Sequence, residues 1–408
     1  MTRLRVLTFG LMTALLASGY GVMFTVLDDF HNDYGIAEYW IGAIVSVGFF
    51  ASFFSQVFLA PIADRGYARQ FVVAGMVLNV IGLLGMAVGD TLVALLIARV
   101  VSGVGIGMAV PAVRRIVINA DPDNLGNNVG LLLAADVAGF ATGPAISAIL
   151  VPSFGLSAPF LVIAAATVCC IPVMFRRDIV RSVPGVADSV GQPVAPRFAF
   201  DLLRARPMVA ALMMGSAVFL MIGTFDALWA LVLDDLEASD LVSNLGITIF
   251  ALPLVFLGSY GGRLAQRLGP FRLGPFGLIL GAGFMFLYGF MPTGALMLTV
   301  GVVHSISDGF TVSSTGVAVA MVAPGDRQAG AQGMLGASET LTAGITAAMA
   351  GVLYSWGGRE LAYSTCTALM LCLAVGSFLL AGPDVRQTRG LVTADSVARP
   401  LAAVTGHE

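Results

Sequence analysis

Twelve stretches of about 20 mainly apolar residues, each bounded by charges, Gly or Pro, recur along the chain at 6–27, 40–62, 70–89, 91–113, 127–151, 156–175, 208–233, 241–262, 271–291, 294–322, 331–355 and 361–381. A run of that length, wound as a helix, crosses the hydrocarbon of a bilayer. The pattern therefore predicts twelve transmembrane helices, numbered here span one to span twelve. Arg3 and Arg5 precede the first run as they would a signal peptide. That run is long, lacks a convincing cleavage site and is followed by eleven more, so it counts as a span.

The polar segments between the runs give the organisation. Segment 176–207 carries six arginines and four prolines with little apolar content and reads as a linker. It separates a first bundle, 1–175, from a second, 208–381, and residues 382–408 form a polar tail expected to be disordered. Nineteen of the 21 arginines fall on one side of the predicted membrane, and by the positive-inside rule that side, with both termini, is cytoplasmic. Acids such as Asp28, Asp29, Asp33, Glu38, Asp234 and Asp235 gather on the other side. A repeat supports the division: Ala60 to Arg69 aligns without gaps on Gly258 to Arg267, an offset of 198 residues that places Arg65 on Arg263 and Arg69 on Arg267. The same offset brings Asp28 onto Asp226.

Composition removes whole classes of function. With 58% hydrophobic and 11% charged residues and a mean hydropathy of +0.91, the chain has too little polar material to cover soluble domains. The net charge is only -3 and no basic cluster is interleaved with aromatics, so no nucleic acid partner is expected. All basic residues are arginine, a compositional bias which, with the short loops, points to a bacterial plasma membrane. Cys169, Cys170, Cys366 and Cys372 lie in apolar stretches without metal-ligand spacing, so neither a disulfide framework nor a metal site is indicated. There is no phosphate-cradling G-x-x-x-x-G-K-[ST] loop, H-E-x-x-H pair or G-x-S-x-G elbow, and no enzymatic activity is expected.

Three motifs carry a family resemblance. The loop Ala60-Pro-Ile-Ala-Asp64-Arg65-Gly-Tyr-Ala-Arg69 resembles the G-x-L-a-D-r-x-G-r-k signature of the major facilitator superfamily, departing from it at Ala60, Tyr67 and Ala68. Span four contains Arg99-Val-Val-Ser-Gly103-Val-Gly105-Ile-Gly107, similar to that family's R-x-x-x-G-x-G. Span five contains Gly139-Phe-Ala-Thr-Gly143-Pro144-Ala-Ile-Ser147, which resembles the G-x-x-x-G-P-x-x-G-G signature of its antiporters, with Ser147 and Ala148 in place of the last glycines. The resemblance covers nearly the whole chain up to the tail. It implies an all-α membrane protein of two pseudo-symmetric six-helix bundles with a cavity between them.

The resemblance also implies roles. Asp64, Arg65 and Arg69, with Arg263 and Arg267 in the repeat, would form a cytoplasmic gate, although ordinary positive-inside charges meet the same spacing. Asp64 precedes a helix N-terminus, where a carboxylate is favoured, and arginines nearby can pair with it. Arg99, about 12 Å deep by helix rise, would serve proton movement, or else snorkel to the interface. Gly139, Gly143, Pro144 and Ser147 would make a tight contact between the halves, or a generic small-residue packing face.

Ionisable groups inside spans are expensive unless paired or hydrated, which makes Asp136, Asp226, His304, Asp308 and Glu339 candidates beside Arg99. His304 and Asp308 are one helical turn apart and form a candidate proton relay. By resemblance Arg99, Asp226, His304 and Asp308 line the cavity, and simple exposure at the outer end is the competing reading of Asp226. The expected function is proton-coupled export of small amphipathic molecules by a monomer, driven by the proton gradient with no other cofactor. The partners expected are a small-molecule substrate, protons and the lipid bilayer. Uptake of a nutrient by symport and a non-transporting membrane receptor or assembly protein are the alternatives.

Overall fold

The computed structural model describes residues 3–176, 195–238 and 240–387, so most of the linker and the tail beyond Gln387 lie outside the described residues. Every regular element among the described residues is an α-helix or a short 3-10 turn. Ten stretches are long and apolar enough to cross a membrane. One of them, Gly325–Pro383, has 59 residues and would reach about 90 Å as a single helix, three times a bilayer's hydrocarbon. Its backbone leaves helical geometry at Gly357 and at Gly358 (φ 64°), so it is two helices meeting at the expected boundary between spans eleven and twelve. Helix Asp240–Leu268 supplies span eight, and the total is the expected twelve. Helix continues past a break at Gly382 as far as Gln387, so the first residues of the segment expected to be a disordered tail are helical.

Local chemistry sets where helices start and stop. Span four, Leu92–Ala120, and span ten, which opens as Gly294–Thr311, both begin behind a threonine in extended conformation. Thr91 Oγ1 accepts from Ala94 N and Thr293 Oγ1 from Leu296 N, satisfying one otherwise orphaned amide in each repeat. The turn Ala60–Arg65 ends on Gly66 at φ 92°, a left-handed conformation that favours glycine.

The chain divides into two compact units. The first comprises 1–121, 135–199 and 326–337; the second comprises 122–134, 200–325 and 338–408. The division is not a simple cut at the linker, because the first turns of spans five and eleven are each grouped with the opposite six spans. In the first unit Phe30, Ile44, Leu83, Leu95 and Phe160 build the core. In the second, Phe225 stacks on Trp229 at 4.6 Å and packs on Phe250 at 4.8 Å, beside the buried Tyr288 and Tyr363. Large apolar side chains are also exposed, among them Phe256 (75%) and Trp356 (78%), as suits helices whose surrounding solvent is lipid.

Candidate functional site

Asp64 is positioned by the 3-10 turn after span two and is buried. Its Oδ1 accepts from Arg115 Nε at 2.8 Å and from Ala329 N at 2.9 Å, and its Oδ2 accepts from Gly330 N at 2.8 Å. The helix that this carboxylate caps is therefore the start of span eleven, not the helix that follows it in sequence. Two unpaired amides and the positive end of a helix dipole converge on one anion. The sequence suggested Arg65 or Arg69 as partner, but Arg115 at the end of span four takes that role. Arg65 instead donates from Nε to the Ala195 carbonyl at 3.0 Å, and Arg327 donates to the Phe198 carbonyl at 3.1 Å, tying the end of the linker to the same turn. Arg69 is half-buried.

The repeat does the corresponding work with different chemistry. Gly262 stands where Asp64 would, and a Cβ there would overlap the Gly126 carbonyl. The amide of Gly126, at the start of span five, donates to Gln266 Oε1 at 2.8 Å, while Gln266 Nε2 donates to the Asp123 carbonyl at 3.1 Å. Arg263 reaches Asn127 Oδ1 at 2.9 Å and lies over the Tyr260 ring; Arg267 is exposed. One helix start is thus held by a carboxylate and the other by a neutral amide.

Arg99 is 2% exposed, which rules out snorkelling. Its Nε donates to the Ile44 carbonyl at 3.2 Å and its guanidinium lies 4.4 Å from the centre of the Tyr20 ring, a desolvated cation–π contact. Nη2 is buried without a hydrogen-bond partner. Span two makes room with Gly48, where a Cβ would fall 2.6 Å from Nη2. The motif's glycines have separate tasks: Gly103 packs on the Gly48 backbone, Gly107 on Ser52 and Ser55, and Gly105 on Gly75 and Asn79 of span three.

In span five, Leu125–Phe154, Gly139 packs on the backbone of Ala14 and Gly143 on Gly21 and Val22, while Gly21 in turn meets the Phe140 carbonyl. Both glycines therefore face span one. The close contact expected between the halves lies inside the first unit. Pro144 is within the helix, and Ser147 is buried with no hydrogen-bond partner for Oγ. Gly143→Ala would push a methyl into span-one backbone, and overpacking of this kind is expected to cost about 1–3 kcal/mol, read as a lowered unfolding temperature of the detergent-solubilised protein.

The ionisable groups do not form one cluster. Asp136 is half-buried in the first unit; Glu339 is buried and Asp226 exposed in the second. His304 and Asp308 do come together, with Nε2 3.4 Å from Oδ2 and both residues buried. The other ring nitrogen, Nδ1, is 3.0 Å from the hydroxyl of Tyr288, a residue that the sequence did not single out.

The sequence profile of the Major Facilitator Superfamily matches residues 9–234 and 218–405, together nearly the whole chain. The chain belongs to the Major Facilitator Superfamily. Among curated members, "Quinolone resistance protein NorA" of Staphylococcus aureus (strain MRSA252) is 26% identical over 133 residues, 32% of this chain and 34% of that one; the counterpart from strain COL matches equally. The match thus spans about a third of those relatives' length. Two solved superfamily structures share the fold. The human organic anion transporter MFSD10 (TETRAN) superposes with a TM-score of 0.72 at 17% identity, over 93% of this chain and 98% of that one. The proton:xylose symporter XylE does so with a TM-score of 0.74 at 13% identity, over 96% and 98%.

As a superfamily member the protein is a multi-pass membrane protein. Some residues of this facilitator were invisible to sequence reasoning for definable reasons. Arg115 counted only as one of many positive-inside charges. Gln266 is neutral and belongs to no motif. Tyr20 and Tyr288 are aromatic residues in an aromatic-rich membrane protein, and only their seating on Arg99 and His304 distinguishes them.

Proposed function

We propose that this transporter is a proton-coupled exporter of small amphipathic molecules, working as a monomer in a bacterial plasma membrane with both termini cytoplasmic and the proton gradient as its energy source. The observation that carries the reading is the His304–Asp308 pair, held in span ten with each facing atom lacking a hydrogen bond. A buried carboxylate with no arginine beside it among the described residues is costly and favours exchange of a proton. Export is favoured by the span-five Gly143-Pro144 motif and by the similarity to a protein named for quinolone resistance. Alternating access then requires the Asp64 cap on span eleven and the Gln266 cap on span five to form and release in turn.

Neutralising Asp136, Asp226, Asp308 and Glu339 one at a time, to Asn or Gln, tests the coupling. At least one variant is expected to lose proton-driven flux of a cationic dye such as ethidium from liposomes while keeping dye exchange at equal pH. Four variants that all remain coupled would remove the reading.

A further inference from the structure

Inside the second unit, His304 Nε2 and Asp308 Oδ2 face each other at 3.4 Å, both buried and neither in a hydrogen bond. The imidazole is held on its faces and edges, stacked on Phe284 at 4.8 Å and met edge-on by Phe250 at 5.6 Å. Its other nitrogen, Nδ1, is 3.0 Å from the Tyr288 hydroxyl. With the hydrogen on Nδ1, donated to the Tyr288 oxygen, Nε2 turns a lone pair toward the carboxylate. Two electron-rich atoms that close in a dry interior call for a cation between them. Nitrogen and oxygen donors bound at about 2.0–2.2 Å in a tetrahedral metal site also stand about 3.4 Å apart.

Sulfur reaches the same place. Span nine carries Gly281 here, and a Cβ on it would lie 3.4 Å from His304 Nε2, 3.6 Å from Met221 Sδ of span seven and 3.6 Å from Met370 Cε of span twelve. Imidazole and thioether thus converge on a point that one methyl group would fill. A cavity of about 10 Å³, room for a single water, adjoins it, with Met221, Gly281, Asp308 and Met370 in its wall. No other charged side chain acts on His304 or Asp308 among the described residues.

We propose that Met221, His304 and Asp308, with Met370 beside them, form a binding site for one soft monovalent metal ion of the cuprous kind. Thioether sulfur favours a soft ion. Charge selects a monovalent one, because a single carboxylate neutralises it, whereas a divalent ion would leave a net positive charge in a low-dielectric interior. His304 supplies the nitrogen, Asp308 the countercharge, and the unbranched side chain of Met221 adjusts its sulfur to the ion. Tyr288 is a positioning residue, which fixes the ring tautomer that leaves Nε2 free to ligate. The site goes beyond the export reading: metal and proton are alternatives for the same two atoms, and metal binding is measured without transport.

Silver(I) is the probe, since it shares the charge and the preference for thioethers and has no redox chemistry here. Purified full-length protein, its four cysteines replaced by alanine because thiols also bind silver, is dialysed to equilibrium against silver nitrate in chloride-free buffer. One ion per protein is expected, with nitrogen and sulfur neighbours in its X-ray absorption spectrum. His304→Gln and Met221→Leu are each expected to weaken binding about tenfold or more, and Tyr288→Phe by about 10–100-fold. Gly281→Ala keeps every ligand and is expected to abolish binding, because its methyl takes the space where the donors meet. Contacts of 3.4–3.6 Å are ordinary for a methyl, so this variant should unfold at no lower a temperature than its parent. With all cysteines in place, the wild type should bind one silver ion more than Gly281→Ala, a count that does not depend on the alanine background. Equal counts in those two proteins, unchanged affinity in His304→Gln, or zinc(II) displacing silver(I) from the site would overturn the proposal. A protein that binds silver as expected while its dye flux proves uncoupled loses the export reading and keeps the site; the converse pattern removes only the site.

Discussion

Asp64→Ala is expected to lower the unfolding free energy by about 3–5 kcal/mol, the range for breaking a buried ion pair from one side. The carboxylate satisfies Arg115 and the amides of Ala329 and Gly330 at once, and the Asp64 side chain is 1% exposed. Removing it leaves a largely buried guanidinium and two helix-start amides without their acceptor, and each loss adds to the other. Asp64→Asn keeps an acceptor oxygen for one amide and is expected to cost less. Thermal unfolding of the detergent-solubilised variants checks the ordering. Arg115→Ala and the double variant complete a cycle that isolates the pair, with a coupling well above that of a surface salt bridge expected. An Asp64→Ala protein as stable as the wild type would mean that the cap is not held in the resting molecule.

Asp308→Asn carries the largest functional effect. If Asp308 accepts the transported proton, replacing it with an amide removes the proton site with almost no change in shape, and proton-driven flux is expected to fall by roughly a hundredfold or more. Substrate exchange without a gradient should persist, because the amide fills the same space beside Thr311 and Gly277. The pH dependence of transport should flatten in the same variant. Measuring gradient-driven flux and exchange on one preparation separates loss of coupling from loss of folding. Coupled flux at the wild-type rate would move the proton site to Asp136, Asp226 or Glu339.

The spans were legible because lipid imposes a length and a composition on any helix that crosses it, and even the junction inside the Gly325–Pro383 stretch was marked by Gly357 and Gly358. The sequence left Arg99 between the bundle interior and the outer interface, and the ring of Tyr20 that holds it inside belongs to no motif. Partners were the illegible part. Asp64 is bonded to residues 51 and about 265 positions away, a relation set by how helices dock and not by spacing. The span-five glycines show the same limit. Their spacing promised a close helix contact, and the fold assigns it to Ala14, Gly21 and Val22 of span one. His304 and Asp308 were legible as a pair because helical periodicity alone brings them together, whereas Tyr288 comes from a neighbouring helix whose rotation no local pattern encodes.

Proton-coupled export is tested most directly by proton movement in liposomes holding purified protein under an imposed pH gradient, while cationic, neutral and anionic compounds are screened as substrates. Substrate-dependent proton counterflow, opposite in direction to the compound, is expected. Proton and compound moving in the same direction would contradict it and make the protein a symporter.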